Sequence, residues 1–130
     1  MAEAPFASLQ GRKYLNLESF RKNGQGVRTP VWFAGEPVEG VPEKLYVYST
    51  ADSGKAKRIR NGGRARVAPC DVRGNVQGDW IEARAEIITG ADAEHGMQLL
   101  NKKYMPWKQL LDFFSMFSRH KRVVFLIRFA

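Results

Sequence analysis

Residues 45–61 combine the residue types that bind an anionic group. Segment 45–48 alternates aromatic and aliphatic side chains and predicts a strand, which a small polar turn follows. A short basic helix is predicted next and begins near Lys55. Hydroxyls, a glycine and free backbone N–H groups at a helix N-terminus, with a lysine beside them, favour phosphate, although a solvated basic helix has the same composition. The residues that carry this prediction are Ser49, Thr50, Ser53, Gly54, Lys55, Lys57, Arg58 and Arg60.

The remaining reactive side chains do not form a catalytic or metal-binding pattern. Cys70 is the one cysteine, which excludes an intrachain disulfide, and we expect it to be a buried apolar residue. His95 and His120 are expected on the surface, and with one cysteine they are too few for a usual zinc site. Glu82 and Glu86 share one parity of a predicted strand and indicate a solvated face. We therefore assign no catalytic residue and predict no metal.

The composition is that of a globular domain with an anionic partner. The chain has 130 residues, which is enough for one hydrophobic core. Its net charge of +8, from 21 basic and 13 acidic residues, favours nucleic acid, a membrane surface, or a small molecule with phosphate or carboxylate groups. The sequence contains no signal-peptide pattern and no apolar run of spanning length. We therefore expect a single cytoplasmic domain over residues 1–130, with residues 1–12 as a polar leader and no membrane partner.

Alternating and helical periodicities predict short strands, with a helical turn and a helical pair between them. Asn23-Gly24 predicts a tight turn between the first two strands, because both residues tolerate positive φ. Turn-linked antiparallel strands in this number predict a mainly β fold of six or seven antiparallel strands with peripheral helices, arranged as a small closed or split barrel. The predicted strands cover residues 13–21, 27–34, 45–48, 66–72, 80–89 and 122–129, and the predicted helices cover 53–61, 91–105 and 107–117.

Two groups of apolar residues leave more than one interpretation open. The predicted helix 107–117 carries too many Leu, Phe and Met residues for a surface helix. It is expected to be buried, to line a ligand pocket or to pack on a partner subunit. Tyr46, Tyr48 and Trp80 lie on predicted strands near basic residues, which fits core packing and also stacking on nucleic acid bases. A basic barrel that binds nucleic acid is therefore one alternative function.

Several segments, taken in order, resemble a known family. They are RTPVWF at 28–33, LYVYST at 45–50, SGK at 53–55, NGGR at 61–64 and VAPC at 67–70. With these segments the chain resembles the pyridoxamine 5′-phosphate oxidase-like superfamily of split β-barrel flavoproteins, and is most similar to the small branch of PPOX-class F420-dependent oxidoreductases. The resemblance covers residues 14–129. It implies an oxidoreductase that acts on a small-molecule substrate, and a homodimer with two cofactor sites at the subunit interface.

The resemblance also implies which residues contact the cofactor on one strand and at one turn. Arg28 matches the arginine that opens the family's phosphate-contacting strand. Thr29, Pro30 and Val31 are implied to run beside the flavin ring. Lys55 matches the lysine of the phosphate turn.

The next strand and the helix supply further matches and one departure. Tyr48 and Ser49 match the hydroxyl-bearing pair at the end of that strand. Gly54 stands where oxidases of the family often have a second basic residue. We expect Lys57 or Arg58 to compensate for this missing cation.

Other departures concern the substrate. Phe33 stands where the true pyridoxamine phosphate oxidases carry a lysine that contacts substrate and cofactor, and their C-terminal arginine-x-histidine element is not found at residues 128–130. We therefore expect no oxidation of vitamin B6. The walls of the substrate pocket are expected from loop 35–43, helix 107–117 and the second subunit, which leaves the substrate unidentified.

The resemblance implies a flavin-type cofactor, either F420 or FMN, which would carry the hydride chemistry. We favour F420 because its tail of carboxylates extends beyond the phosphate, and because the basic side chains exceed what one phosphate needs. These cations also fit solvent-facing residues that support solubility, and FMN is the other cofactor. A cofactor-free barrel that kept the fold is a further alternative. The basic residues in question are Lys55, Lys57, Arg58, Arg60 and Arg64.

Overall fold

The computed structural model describes residues 4–104 and 122–130, which form one sheet and the elements packed on it. Every neighbouring pair of strands in this sheet is antiparallel. The strands are β1 (Tyr14–Phe20), β2 (Gly26–Trp32), β3 (Ala34–Glu36), β4 (Lys44–Thr50), β5 (Arg64–Cys70), β6 (Ile81–Ile88) and β7 (Arg122–Phe129). The helices are α1 (Gly54–Gly62) and α2 (Gly90–Tyr104), and a 3₁₀ turn covers Ala7–Leu9.

The strand order explains how the sheet becomes a barrel with a split. The order is β2-β1-β5-β6-β7-β4-β3, so β7, the most apolar strand, lies inside the sheet between β6 and β4. The sheet curls until β2, at one end of the order, packs against β4 without pairing to it. The architecture is therefore a seven-stranded antiparallel half-barrel with helices at its periphery, which confirms the predicted split β-barrel.

The main hydrophobic core lies inside the curled sheet. Leu15 and Leu17 of β1, Val47 of β4, and Phe125 and Ile127 of β7 are completely buried in it. They occupy alternate positions because successive side chains of a strand point to opposite faces. Burial of each such side chain contributes roughly 1.5–3 kcal/mol of transfer free energy. The alternation read from the sequence therefore identifies the core face of these strands.

The N-terminal segment, predicted as a polar leader over residues 1–12, contributes two side chains to this core. Phe6 and Leu9 are each 1% exposed and pack in the main cluster. A 3₁₀ turn places residues three apart on the same side, which brings both side chains to the sheet. Composition alone does not reveal this pair, because mostly small residues surround it in the sequence.

A second, smaller cluster lies on the outer face of the sheet, under α2. Tyr46 of β4, Val124 of β7 and Leu100 of α2 are among its buried members. Gly96 allows the close approach, because a Cβ at this residue would lie 2.6 Å from the Tyr46 ring. Both faces of β4 and β7 are therefore covered.

The predicted strand 27–34 is wrong in one detail, since it is interrupted at Phe33. The Phe33 N–H donates to the hydroxyl of Tyr104 at 3.1 Å, and that hydroxyl donates to the Lys13 carbonyl at 2.6 Å. This side chain from α2 replaces the pairing of a continuous strand and separates β2 from β3. The predicted loop 35–43 consequently begins with two paired residues of β3.

Glu36 ties the short strand β3 to β4 and α2. The Tyr46 hydroxyl donates to Glu36 Oε1 at 3.1 Å, and His95 Nε2 lies 2.5 Å from Glu36 Oε2. The hydrogen bond from His95 has the largest effect on the pKa of Glu36 and lowers it. Burial acts in the opposite direction, but the pKa remains below its ordinary value. Burial, and then the bond to Glu36, raise the pKa of Tyr46 to about 12.

Residues singled out for their chemistry lie where the sequence predicts. Cys70 is buried, and its burial raises the pKa of the thiol to about 11. The side chains of Glu82 and Glu86 are 51% and 60% exposed on one face of β6, paired with arginines of the neighbouring strands. His95 is a half-exposed residue on the surface of α2.

Two predictions on the C-terminal third fall beyond what the structure describes. The predicted helix 107–117 and His120 lie outside residues 4–104 and 122–130. The predicted helix 91–105 is confirmed as α2 up to Tyr104. In the described part of the chain, no helix combines the length and apolar character needed to cross a membrane.

Candidate functional site

The split of the barrel holds a cavity of about 270 Å³ between β2 and β4. β2 pairs only with β1, and β4 pairs with β3 only over residues 44–46. The facing edges of β2 and of residues 47–50 therefore have no strand partner among the residues that the structure describes. Backbone groups left unpaired at such edges are available to a bound molecule. The cavity is lined by Tyr14, Pro30, Val31, Trp32, Tyr48, Ser49, Lys55 and Val72.

The walls of this cavity are mostly aromatic and aliphatic. Tyr14 and Trp32 come from directly opposite positions of β1 and β2, and the Trp32 ring stacks on Tyr104 of α2 at 5.1 Å between centroids. Pro30 has no backbone N–H, so its place on an edge strand costs no hydrogen bond. An aromatic ring system fits such walls better than a hydrated polar group does.

The start of α1 brings hydroxyl and ammonium groups to the cavity. Ser53 caps the helix, since its hydroxyl accepts the Ala56 N–H at 3.1 Å. The Ser49 hydroxyl donates to Ser53 Oγ at 3.0 Å, which leaves the Ser53 proton available to an acceptor. Lys55 follows on the first turn, and its pKa is lowered by burial and by the charge of Arg58. Because an adjacent anion would offset both effects, this end of the cavity favours a negatively charged ligand.

Arg58 reaches the same end of the helix from the next turn. Its Nε donates to the Ser19 hydroxyl at 2.6 Å. Its Nη1 lies 2.8 Å from the position that a Cβ at residue 54 would take. Gly54 therefore leaves room for the Arg58 guanidinium, where oxidases of the similar family often carry a cationic side chain on residue 54 itself. Burial and the charge of Arg21 lower the pKa of Arg58.

Arg28 is not among the residues that line the cavity. Its Nε donates to Glu18 at 2.9 Å, and its guanidinium stacks on Trp80 at 4.6 Å from the ring centroid. Glu18 is 5% exposed and also accepts from Arg66 at 3.1 Å. The phosphate contact expected of Arg28 stays a prediction, and it would require the arginine to leave this pair.

Five of the twelve residues predicted for the cofactor lie together at the cavity: Pro30, Val31, Tyr48, Ser49 and Lys55. Ser53 and Gly54 adjoin them at the start of α1. Thr29 and Thr50 are half-buried and Lys57 is exposed, and none of the three lines the cavity.

Three residues that line the cavity are not among the predicted site residues: Tyr14, Trp32 and Val72. Trp32 shares one face of β2 with Pro30, so the alternation of the strand could have indicated it. Val72 is a 63% exposed apolar residue at the rim, and nothing local in the sequence marks it.

Proteins of known structure show the same architecture. An F420 reductase is 19% identical, with 98% of this chain and 94% of that chain covered and a TM-score of 0.60. A candidate pyridoxamine 5′-phosphate oxidase from Listeria innocua is 16% identical (93% and 86% covered, TM-score 0.62). A FAD-binding protein from Mesorhizobium loti is 19% identical (95% and 85% covered, TM-score 0.60). Neither a protein-family model nor a curated protein sequence matches the chain.

These similarities establish the fold. The chain has the split-barrel fold shared by pyridoxamine-phosphate-oxidase-like, F420-reducing and FAD-binding proteins, and the resemblance noted in the sequence is confirmed at that level. At identities of 19% or less they do not carry an activity from one protein to another.

Proposed function

We propose that the protein is an oxidoreductase that binds a flavin-type cofactor, F420 or FMN, in the split between β2 and β4. The observation that carries the proposal is a cavity of about 270 Å³ with aromatic and aliphatic walls and a cationic, hydroxyl-bearing end. Ligand pockets typically combine apolar walls with a few placed polar groups. The cofactor supplies hydride transfer when it is bound.

The residues of the chain would bind, orient and shield the cofactor. Val31, Trp32 and Tyr48 would contact its ring and exclude water from it. The Ser53 hydroxyl and the Lys55 ammonium would receive its phosphate, together with the free N–H groups of the first turn of α1. Arg58 would add a second positive charge beside Gly54.

The basic residues beyond Lys55 differ in how much charge they can offer a longer anionic tail. Arg64 pairs with Glu82 at 3.2 Å, which engages its charge on the sheet. Arg60 donates to the uncharged Ala51 carbonyl at 2.8 Å, and Lys57 is exposed on α1. We favour F420 because these two cations lie beyond the phosphate-binding turn, and FMN is the alternative.

Lys55→Ala is the variant that tests this function. A hydrogen bond to a charged group contributes roughly 1.5–3 kcal/mol, so we expect cofactor binding to weaken by about tenfold to a hundredfold. Titration of FMN and of F420 in parallel, followed by quenching of intrinsic tryptophan fluorescence, measures both affinities because Trp32 lines the cavity.

Lys57→Ala is the matched control, since Lys57 is an exposed lysine of the same helix that does not line the cavity. It should change the affinity for FMN much less than Lys55→Ala does. Equal effects of the two substitutions would place the phosphate elsewhere. Tighter binding of FMN than of F420 would reverse our preference, and binding of neither would leave a cofactor-free barrel.

A further inference from the structure

A second cavity, of about 300 Å³, lies on the other side of the strand break at Phe33. The 3₁₀ turn, β3, the loop after β3 and the last turn of α2 surround it. Its apolar walls include Leu9, Phe33, Pro37, Val38 and Leu99. None of these residues lines the cavity in the split, so the two cavities are separate.

The charged residues that line this cavity are both lysines. Lys102 and Lys103 stand on its wall, and no aspartate or glutamate does so in the described part of the chain. Lys103 Nζ donates to the Arg12 carbonyl at 2.6 Å and to the Phe33 carbonyl at 2.8 Å. It also lies 3.7 Å from the centroid of the Phe33 ring.

These contacts fix the Lys103 ammonium at the boundary between an apolar wall and the surface. An ammonium has three N–H donors, and two of them serve the backbone carbonyls. The ammonium also lies against the Phe33 ring, but no carboxylate of the described residues pairs with it, so its charge remains available to a ligand. Burial lowers the pKa of Lys103 to about 8, and an adjacent anion would raise it again.

We propose that this cavity binds a small organic acid, an aromatic or short-chain aliphatic carboxylate. The apolar body lies against Phe33, Leu9 and Val38, and the carboxylate accepts from Lys103 with Lys102 beside it. A phosphate is the poorer match, because a dianion needs several donors and the walls offer mostly carbon. A cavity of about 300 Å³ is at the lower end of the range for small-molecule sites.

Calorimetric titration of the 130-residue chain with 2-naphthoate, and with its neutral analogue 2-naphthalenemethanol, tests the proposal. The acid should bind more tightly than the alcohol. Lys103→Met should weaken binding of the acid by about tenfold or more, since it removes a charge-assisted hydrogen bond, and should leave the alcohol nearly unaffected. Lys55→Met, the same change at the other cavity, should leave the affinity for 2-naphthoate unchanged.

A second pair of variants keeps the test independent of the folding of Lys103→Met. Val38 is 64% exposed at this cavity, so Val38→Glu should fold and should repel the acid; Val76→Glu, at a 41% exposed valine outside both cavities, is its control. The proposal is overturned if 2-naphthoate fails to bind or binds no better than the alcohol. It is also overturned if Lys55→Met or Val76→Glu weakens binding as much as Lys103→Met or Val38→Glu does.

Discussion

Glu36 is a single carboxylate whose ionisation contributes to stability. Its bond to His95 lowers its pKa below the ordinary value of 4.5. The stabilisation is therefore fully present above about pH 4.5 and is lost as the pH falls through the lower pKa of the folded state. The same carboxylate accepts the Tyr46 hydroxyl, so its protonation loosens β3 from both neighbours.

Glu36→Gln should thus be less stable than the wild type at neutral pH, and the difference should shrink as the solution is acidified below about pH 4.5. Urea unfolding at several pH values measures this difference in free energy. Glu39→Gln, at an exposed glutamate of the following loop, is the control and should show little difference at any pH. A difference between wild type and Glu36→Gln that grows on acidification would contradict the assignment.

Individual side chains also show how far the sequence alone could go. The proximity of Lys55 and Ser49, which both line the cavity in the split, was predictable. Both lie within one short stretch whose turn and helix follow from local residue types. The ion pair between Arg28 and Glu18 was not predictable, because the two residues become neighbours only through the register of β1 against β2. Local patterns predict what a residue is near in sequence, and pairing across a sheet requires the register as well.

Among the elements, α1 depends on its cap. Ser53 holds the first turn through the Ala56 N–H, and Gly63 ends the helix at φ 68° while donating to the Ile59 carbonyl at 3.0 Å. A Cβ at Gly63 would also lie 3.2 Å from the Ala85 carbonyl, so glycine is needed for both reasons. The two caps fix the helix whose first turn forms the cationic end of the cavity.

Ser53→Ala should destabilise the protein without cofactor by about 1 kcal/mol, whereas Ser53→Gly should cost only a few tenths. Both variants remove the same hydroxyl and therefore lose the same contact with Ser49. The difference between their free energies of unfolding thus measures how much better glycine than alanine fits the N-cap position. Thermal or urea unfolding of the two variants beside wild type is the measurement. Equal stability of Ser53→Ala and wild type would show that the cap contributes nothing.

At the scale of elements, the strands that alternate cleanly were predictable and the break between β2 and β3 was not. Alternation identifies β1 and β6, and a continuous apolar run identifies β7, each to within about two residues. The break depends on the Tyr104 hydroxyl bonding to the Phe33 N–H, a contact between residues 71 positions apart. No local feature of the sequence reports such a contact.

For the whole molecule, the residues alone predict a small barrel but do not decide whether it is closed or split. Strand count and turn signals favour a small barrel, whereas the split follows from β2 packing on β4 without pairing. Tyr46 and Tyr48 are 5% and 6% exposed, so two of the three rings considered for stacking on nucleic acid bases are engaged in the core. That the protein does not bind nucleic acid remains a prediction.

Dimerisation is expected at the cofactor site, since the resemblance implies cofactor sites between subunits. Val72, an exposed valine that lines the cavity in the split, would then contact the partner subunit. We expect sedimentation velocity to show a dimer for wild type and a shift toward monomer for Val72→Lys. Val38→Lys, at a valine of equal exposure beside the other cavity, should stay dimeric. A wild-type protein that is monomeric at micromolar concentration would exclude the dimer.

The strand break at residue 33 has a consequence for anyone who redesigns this protein. One peptide bond separates Trp32, on the wall of the first cavity, from Phe33, on the wall of the second. Tyr104 stacks on the first of these residues and bonds to the backbone of the second. The two cavities therefore share one structural support, the Tyr104 side chain. A substitution there that reshapes one cavity for a new ligand would also alter the wall of the other.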